Sequence, residues 1–99
     1  MKYNDIVNAF DEHIKKSGCR YYSDMYIGVT NNVDRRFEEH HVSKDTQWWI
    51  SAFADSEEIA RDVERHFLKI GMRGDTGGGS GDGSAKYVYS YNITPNTIE

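Results

Sequence analysis

The chain reads as a small α+β domain, with a mainly antiparallel sheet of about three to four strands flanked by three helices. Three patterns predict it. Apolar residues recur at helical spacing in two separate stretches, Ile6, Val7, Phe10 and Ile14, then Ile59, Val63, Phe67 and Ile70. Short runs rich in aromatic and β-branched residues lie between them. Near the end, KYVYSYNI alternates strictly, setting Tyr87, Tyr89, Tyr91 and Ile93 against Val88, Ser90 and Asn92.

In chain order, Asn4 is a good N-cap and Gly18 behind Lys15 and Lys16 a natural stop, so about 4–17 is an added N-terminal amphipathic helix. GCRYYSDMYIGVT reads as strand, broken into a tight hairpin at Ser23-Asp24. Asn31 and Asn32 supply a cap for a second helix, about 32–41, with Val33 and Phe37 facing inward. VSKDTQ is a polar loop and WWISAFA a third strand. Asp55 with Glu58 forms a capping box for a third helix, about 56–70. The segment from about 71 to 84 holds seven of the nine glycines and reads as a flexible loop. KYVYSYNI is the fourth strand, ended by Pro95. The expected order is α-β-β-α-β-α-β.

At 99 residues the chain predicts a single domain spanning 1–99. No apolar run approaches the roughly 18 residues of a membrane span, and MKYNDIVNAF lacks an apolar signal core. One cysteine, Cys19, excludes an internal disulfide and makes a reduced, cytoplasmic setting the default expectation. The net charge of −4 matters more. Phosphate contacts dominate nucleic-acid affinity, so a nucleic-acid site here must be a local patch working against the overall field.

Candidate chemistry gathers around MYIGVTNNVDRRFEEHH. Arg36 and His40 are four apart and share a helical face, and a helix starting straight after the strand keeps its first turns near Tyr26. Arginine can hold a phosphate bidentately, and tyrosine or histidine can move a proton to or from water. The bland alternative is a solvated polar helix beside a half-buried tyrosine. Glu64 lies next to the apolar stripe of the third helix and wants a partner: a hard cation such as Mg²⁺, or an arginine such as Arg61 or Arg36. Asn92 can hydrogen-bond a phosphate or simply cap its strand. The histidines and cysteine show no zinc spacing, and the glycine-rich loop lacks the P-loop pattern. Trp48, Trp49 and the tyrosine stripe are either core or an interface for a protein partner, with core favoured.

Tyr26-Ile27-Gly28, Val29-Thr30-Asn31-Asn32, Val33-Asp34-Arg35-Arg36 and His40 resemble the second half of the GIY-YIG nuclease signature. The resemblance runs from about Cys19 to Asn92. It implies a small sheet flanked by helices and a nuclease that uses a single divalent metal, Mg²⁺ or Mn²⁺, to hydrolyse nucleic-acid phosphodiester bonds. Tyr26 matches the tyrosine that helps activate water, Arg36 the arginine that stabilises the phosphate transition state, and His40 a histidine of some members. Arg35 stands beside Arg36 as a substrate contact. Glu64 matches the metal-binding glutamate, and Asn92 the late asparagine. The family's first motif should precede Tyr26 on its own strand; Cys19-Arg20-Tyr21-Tyr22 is the nearest substitute, with Tyr22 or Tyr21 as the stand-in tyrosine. The alternative function is a catalytically inactive protein on the same fold, of phage or bacterial defence type, that binds a nucleotide or a protein partner.

Overall fold

The computed structural model describes residues 1–18, 21–43, 48–74, 85–95 and 97. Helix α1 (Tyr3–Ser17) leads into a short 3-10 turn at Tyr22–Asp24 and strand β1 (Met25–Thr30). Helix α2 (Val33–His40), strand β2 (Trp49–Phe53), helix α3 (Glu57–Lys69) and strand β3 (Tyr87–Asn92) follow. The strands form one antiparallel sheet in the order β1-β3-β2. The protein is therefore an α+β domain, with three helices around a three-stranded antiparallel sheet among the described residues.

The last strand of the chain is the central strand of the sheet. Its register sets Tyr91 between Tyr26 and Trp49, Tyr89 between Gly28 and Ser51, and Tyr87 between Thr30 and Phe53. Side chains alternate across a strand, so these three rows share one sheet face. Met25, Ile27, Val29, Ala52 and Val88 occupy the other face and pack with Ile6, Phe10 and Ile14 of α1 and Ala60, Val63 and Phe67 of α3. Phe10 stacks on Phe67 with ring centroids 5.8 Å apart. On the first face, Tyr26, Tyr89 and Tyr91 meet Phe37 of α2, with Val33, Val42 and Trp49 at the margin. Helices thus cover the sheet from both sides.

The hairpin expected in GCRYYSDMYIGVT does not form. Cys19 and Arg20 lie outside the described residues, and Tyr22–Asp24 is a 3-10 turn whose residues are all exposed. The inner edge of β1 is taken by β3, which leaves no position there for a preceding strand. At the start of its outer edge, β1 meets the chain leaving α3: Ile27 N–H donates to Arg73 O (2.8 Å) and Arg73 N–H to Met25 O (3.0 Å). The first residues of the expected glycine-rich loop are thus tied to the sheet, while positions 75–84 lie outside the described residues.

Two helix starts also differ from expectation. α1 begins one residue earlier, with Lys2 at the N-cap and no side-chain cap bond, so Asn4 sits inside the first turn. α3 begins one residue later, with Ser56 Oγ accepting Ile59 N–H at 3.2 Å. That shift moves Glu58 out of the third helical position, and the Asp55–Glu58 capping box does not form. Ala60, Val63, Glu64 and Phe67 form the buried side of α3, and Ile70, expected on that side, is the exposed residue that caps the helix end. The cap expected at Asn32 is present: its side chain accepts Arg35 N–H at 3.0 Å.

Candidate functional site

The turn from β1 into α2 is tightly pinned. Thr30 Oγ1 accepts Asn32 N–H at 3.1 Å, and the Asn32 cap starts the helix at once. Arg36 and His40 therefore emerge one turn apart directly above the sheet. The end of α2 settles which of the two adjacent histidines faces inward. His41 adopts the left-handed conformation (φ 58°), with its N–H to Glu38 O and Val42 N–H to Phe37 O at 2.8 Å. His40 is left buried against the tyrosines, and His41 turns out to solvent.

The tyrosine that completes the cluster is Tyr89, which comes from β3. Opposite it lies Gly28, and a Cβ there would stand 2.4 Å from Tyr89 Cζ and Oη. The absent side chain lets the tyrosine ring lie over β1 and deliver its hydroxyl to α2. His40 Nε2 is 3.0 Å from Tyr89 Oη, Arg36 Nη2 is 3.1 Å from His40 Nε2, and Arg36 Nε donates to Tyr89 Oη at 3.4 Å. Guanidinium nitrogens only donate, so His40 Nε2 accepts, its one lone pair shared between Arg36 Nη2–H and the Tyr89 hydroxyl, and the imidazole proton belongs on Nδ1. The Tyr89 hydroxyl then donates to His40 Nε2 while accepting from Arg36. Arg36 Nη1 also pairs with Glu39 Oε1 at 3.0 Å.

These contacts set the charges. Burial pushes the Tyr89 phenol up to about 12, with Arg36 pulling down and Tyr26 and Glu64 adding to the rise. It is a neutral hydroxyl at physiological pH. Burial works against the charge of Arg36, but hydrogen bonds and charge interactions with Tyr89 and Glu39 outweigh it and hold its pKa above the usual arginine value.

A pocket of about 280 Å³ opens beside this cluster at the outer edge of β1, past the Arg73 bridge. Tyr26, Gly28, Arg35, Arg36, Glu64 and Tyr89 line it, as do Arg61 and Glu39. Three arginines against two glutamates give the lining a positive excess in a chain of net charge −4. Glu64 reaches the pocket from α3 and is 5% exposed. Its carboxylate lies 3.5 Å from Arg61 Nη1, so the arginine partner weighed for it is Arg61. Arg35 is held at the rim by Asn31, whose Oδ1 accepts its Nη2 at 2.9 Å.

The structure thus brings together Tyr26, Arg36, His40, Glu64 and Arg35. It does not bring Tyr22 or Asn92. Tyr22 sits in the 3-10 turn, outside the pocket lining. Asn92 is at the far end of β3, where its Oδ1 accepts Trp48 N–H at 3.2 Å and its N–H donates to Trp48 O at 3.0 Å. That is the strand-end role weighed for it. Tyr89 is the member that sequence reasoning placed elsewhere, in the core or interface stripe; Arg61 was weighed only as a partner of Glu64. The signal for Tyr89 was the alternating tyrosine stripe together with a glycine inside β1, the mark of a close approach.

As for a divalent cation, no cluster of three or more His, Cys, Asp or Glu side chains occurs among the described residues. A buried single carboxylate at a pocket wall suits a Mg²⁺-like ion that keeps most of its ligands as water and phosphate oxygens. Glu64 is the buried carboxylate on that wall, and in this structure its partner is Arg61. No helix of the described residues is long and apolar enough to cross a membrane. No known protein family, curated protein or solved structure matches the chain.

Proposed function

We propose that the protein is a divalent-metal-dependent endonuclease that hydrolyses nucleic-acid phosphodiester bonds. The observation that carries this reading is the convergence of Tyr26, Tyr89, Arg36 and Glu64 on one pocket, with His40 bonded behind them. The GIY-YIG resemblance supports it from a second direction. The resemblance implies a first-motif tyrosine on a strand before Tyr26; no such strand occurs among the described residues, and the tyrosine that faces Gly28 is Tyr89 on β3. The same neighbourhood is reached through a strand from the other end of the chain.

Each residue has a role suited to its surroundings. Arg36, permanently cationic and held by three side chains, binds the phosphate and stabilises the charge that develops on its oxygens. Arg35 and Arg61 add positive charge at the rim and back wall. A neutral phenol with a pKa near 12 is a poor base by itself, but Tyr89 has a path for the proton: its hydroxyl passes one to His40 Nε2 as it takes one from water. Tyr26 lines the same pocket and shares the task of holding the water. Glu64 would hold Mg²⁺ or Mn²⁺, which when bound polarises the phosphate and its leaving oxygen.

A second reading is a catalytically inactive binding protein that takes a nucleotide or a protein partner. It is favoured by the self-contained pairing of the site, Arg36 with Glu39 and Arg61 with Glu64. One experiment separates the two. Supercoiled DNA, single-stranded DNA and RNA are incubated with wild type, Glu64→Ala and Arg36→Ala, with Mg²⁺, Mn²⁺ or EDTA at low salt. Cleavage that needs metal and is lost in both variants establishes the nuclease. Absence of cleavage by folded wild type on every substrate overturns it in favour of the binding protein.

A further inference from the structure

Among the described residues, α2 covers its side of the sheet at one end, and at the other Thr30 is buried while Tyr87 and Phe53 are exposed. The row Tyr26, Tyr91 and Trp49 lies under Phe37, whereas the row Thr30, Tyr87 and Phe53 extends past the start of the helix. There Phe53 is 52% exposed and Tyr87 37%, with ring centroids 5.0 Å apart. Neither ring belongs to the two buried clusters of the core. Beside Tyr87 runs a groove of about 330 Å³, walled by Ser51 and Trp49 on the sheet and by Asn32, Val33 and Asp34 at the start of α2. The groove and the arginine pocket meet at Asn31, which lines both and hydrogen-bonds Arg35.

We infer that this groove takes an unpaired base, so that the substrate is a single strand of nucleic acid, its phosphate at Arg36 and Arg35 and a neighbouring base stacked on Tyr87, with the ring of Phe53, inclined 58° to Tyr87 and outside the groove lining, against the edge of the base. The inference rests on the phosphodiester reading of the adjacent pocket. Tyr87 and Tyr89 are two residues apart on one strand face, roughly 7 Å, a span that one nucleotide covers between phosphate and base. Exposed aromatic rings on a sheet accept any base by its π-face, and amide and hydroxyl groups such as those of Asn31, Asn32 and Ser51 suit its polar edges. The faces of a base inside a duplex are already stacked on its neighbours, so a duplex must open before it can use this platform. Charge complementarity puts the phosphate at the first pocket: the arginines line it, while the groove walls carry Asp34 and, among the described residues, no cation.

The test is binding in EDTA, which uncouples recognition from cleavage. Fluorescence anisotropy is read for a labelled oligothymidylate, an oligouridylate and a blunt duplex, against wild type, Tyr87→Ala, Phe53→Ala, Tyr87→Trp and Arg36→Gln. Both platform residues are surface-exposed, and circular dichroism checks that each variant keeps the fold. The expected result is tighter binding of a single strand than of the duplex, weakened about tenfold by Tyr87→Ala, weakened by Phe53→Ala, and retained by Tyr87→Trp. Equal binding of duplex and single strand, unmoved at Tyr87 and Phe53 but lost in Arg36→Gln, overturns the platform and leaves the phosphodiester pocket standing. Absence of binding by any nucleic acid overturns both.

Discussion

The ring of Tyr89 lies where a side chain on Gly28 would be: a Cβ at position 28 would come within 2.4 Å of Tyr89 Cζ and Oη and 2.8 Å of Cε1. The two residues are direct partners across β1 and β3. The glycine of the Tyr-Ile-Gly segment is thus the space through which a tyrosine from the far end of the chain reaches His40 and Arg36.

Gly28→Ala should therefore displace the Tyr89 ring and cost about 1–3 kcal/mol, the usual penalty of overpacking. Chemical denaturation measures it. The same substitution in a Tyr89→Leu background should cost much less, because the clashing ring atoms are gone. Equal costs in both backgrounds would show that the two side chains do not compete for this space.

Tyr89→Phe and His40→Ala should behave as one lesion. If the Tyr89 hydroxyl passes its proton to His40, each single change lowers metal-dependent cleavage by about 10²–10⁴-fold, and the double change is barely worse. Single-turnover cleavage rates for the four proteins decide it. Multiplicative losses would mean that the hydroxyl and the imidazole act separately.

Arg61→Leu leaves Glu64 buried without its arginine. The expected result is a lower melting temperature in EDTA, in keeping with the cost of breaking a buried pair. Mn²⁺ should then raise the melting temperature of Arg61→Leu by more than that of wild type, since the ion no longer displaces a guanidinium from the carboxylate. Glu64→Gln should abolish the Mn²⁺ response in either background. An unchanged response to Mn²⁺ across all three would refute a cation at Glu64.

The raised pKa of Tyr89 makes alkaline stability informative. The fold holds the phenol proton more tightly than the unfolded chain does, so its contribution is complete below the unfolded value near 10 and is lost as pH rises to about 12. Wild type should lose stability across that window more steeply than Tyr89→Phe. Urea titrations at a series of pH values read the difference, and parallel slopes would contradict it.

Asn92→Ala should lower stability by about 0.5–1.5 kcal/mol, the net worth of the hydrogen bond to Trp48 N–H. Its cleavage rate should match wild type, because Asn92 lies outside the pocket lining. A cleavage defect without a stability defect would restore the substrate role implied by resemblance.

What the sequence determined by itself is local. Helical spacing placed α1, α2 and α3 to within a residue or two at most ends, since the apolar stripes that define them bury against the sheet. The Asn32 cap and the four-residue spacing of Arg36 and His40 were legible for the same reason: both are set within one or two turns of backbone. So was the common face of Tyr87, Tyr89 and Tyr91. The partner of β1 was not legible, because strand pairing is a choice among distant segments that periodicity does not rank. Only the tertiary structure pairs β1 with β3 in place of a hairpin at Tyr21-Tyr22, and with that pairing Tyr89 in place of Tyr22 comes to lie over Gly28. The exact rotation of α3 was likewise decided by packing. Arg61 and Glu64 share a face of α3 by spacing alone, but that this face meets Gly28, Val29 and Thr30 of β1 across one pocket is a tertiary fact.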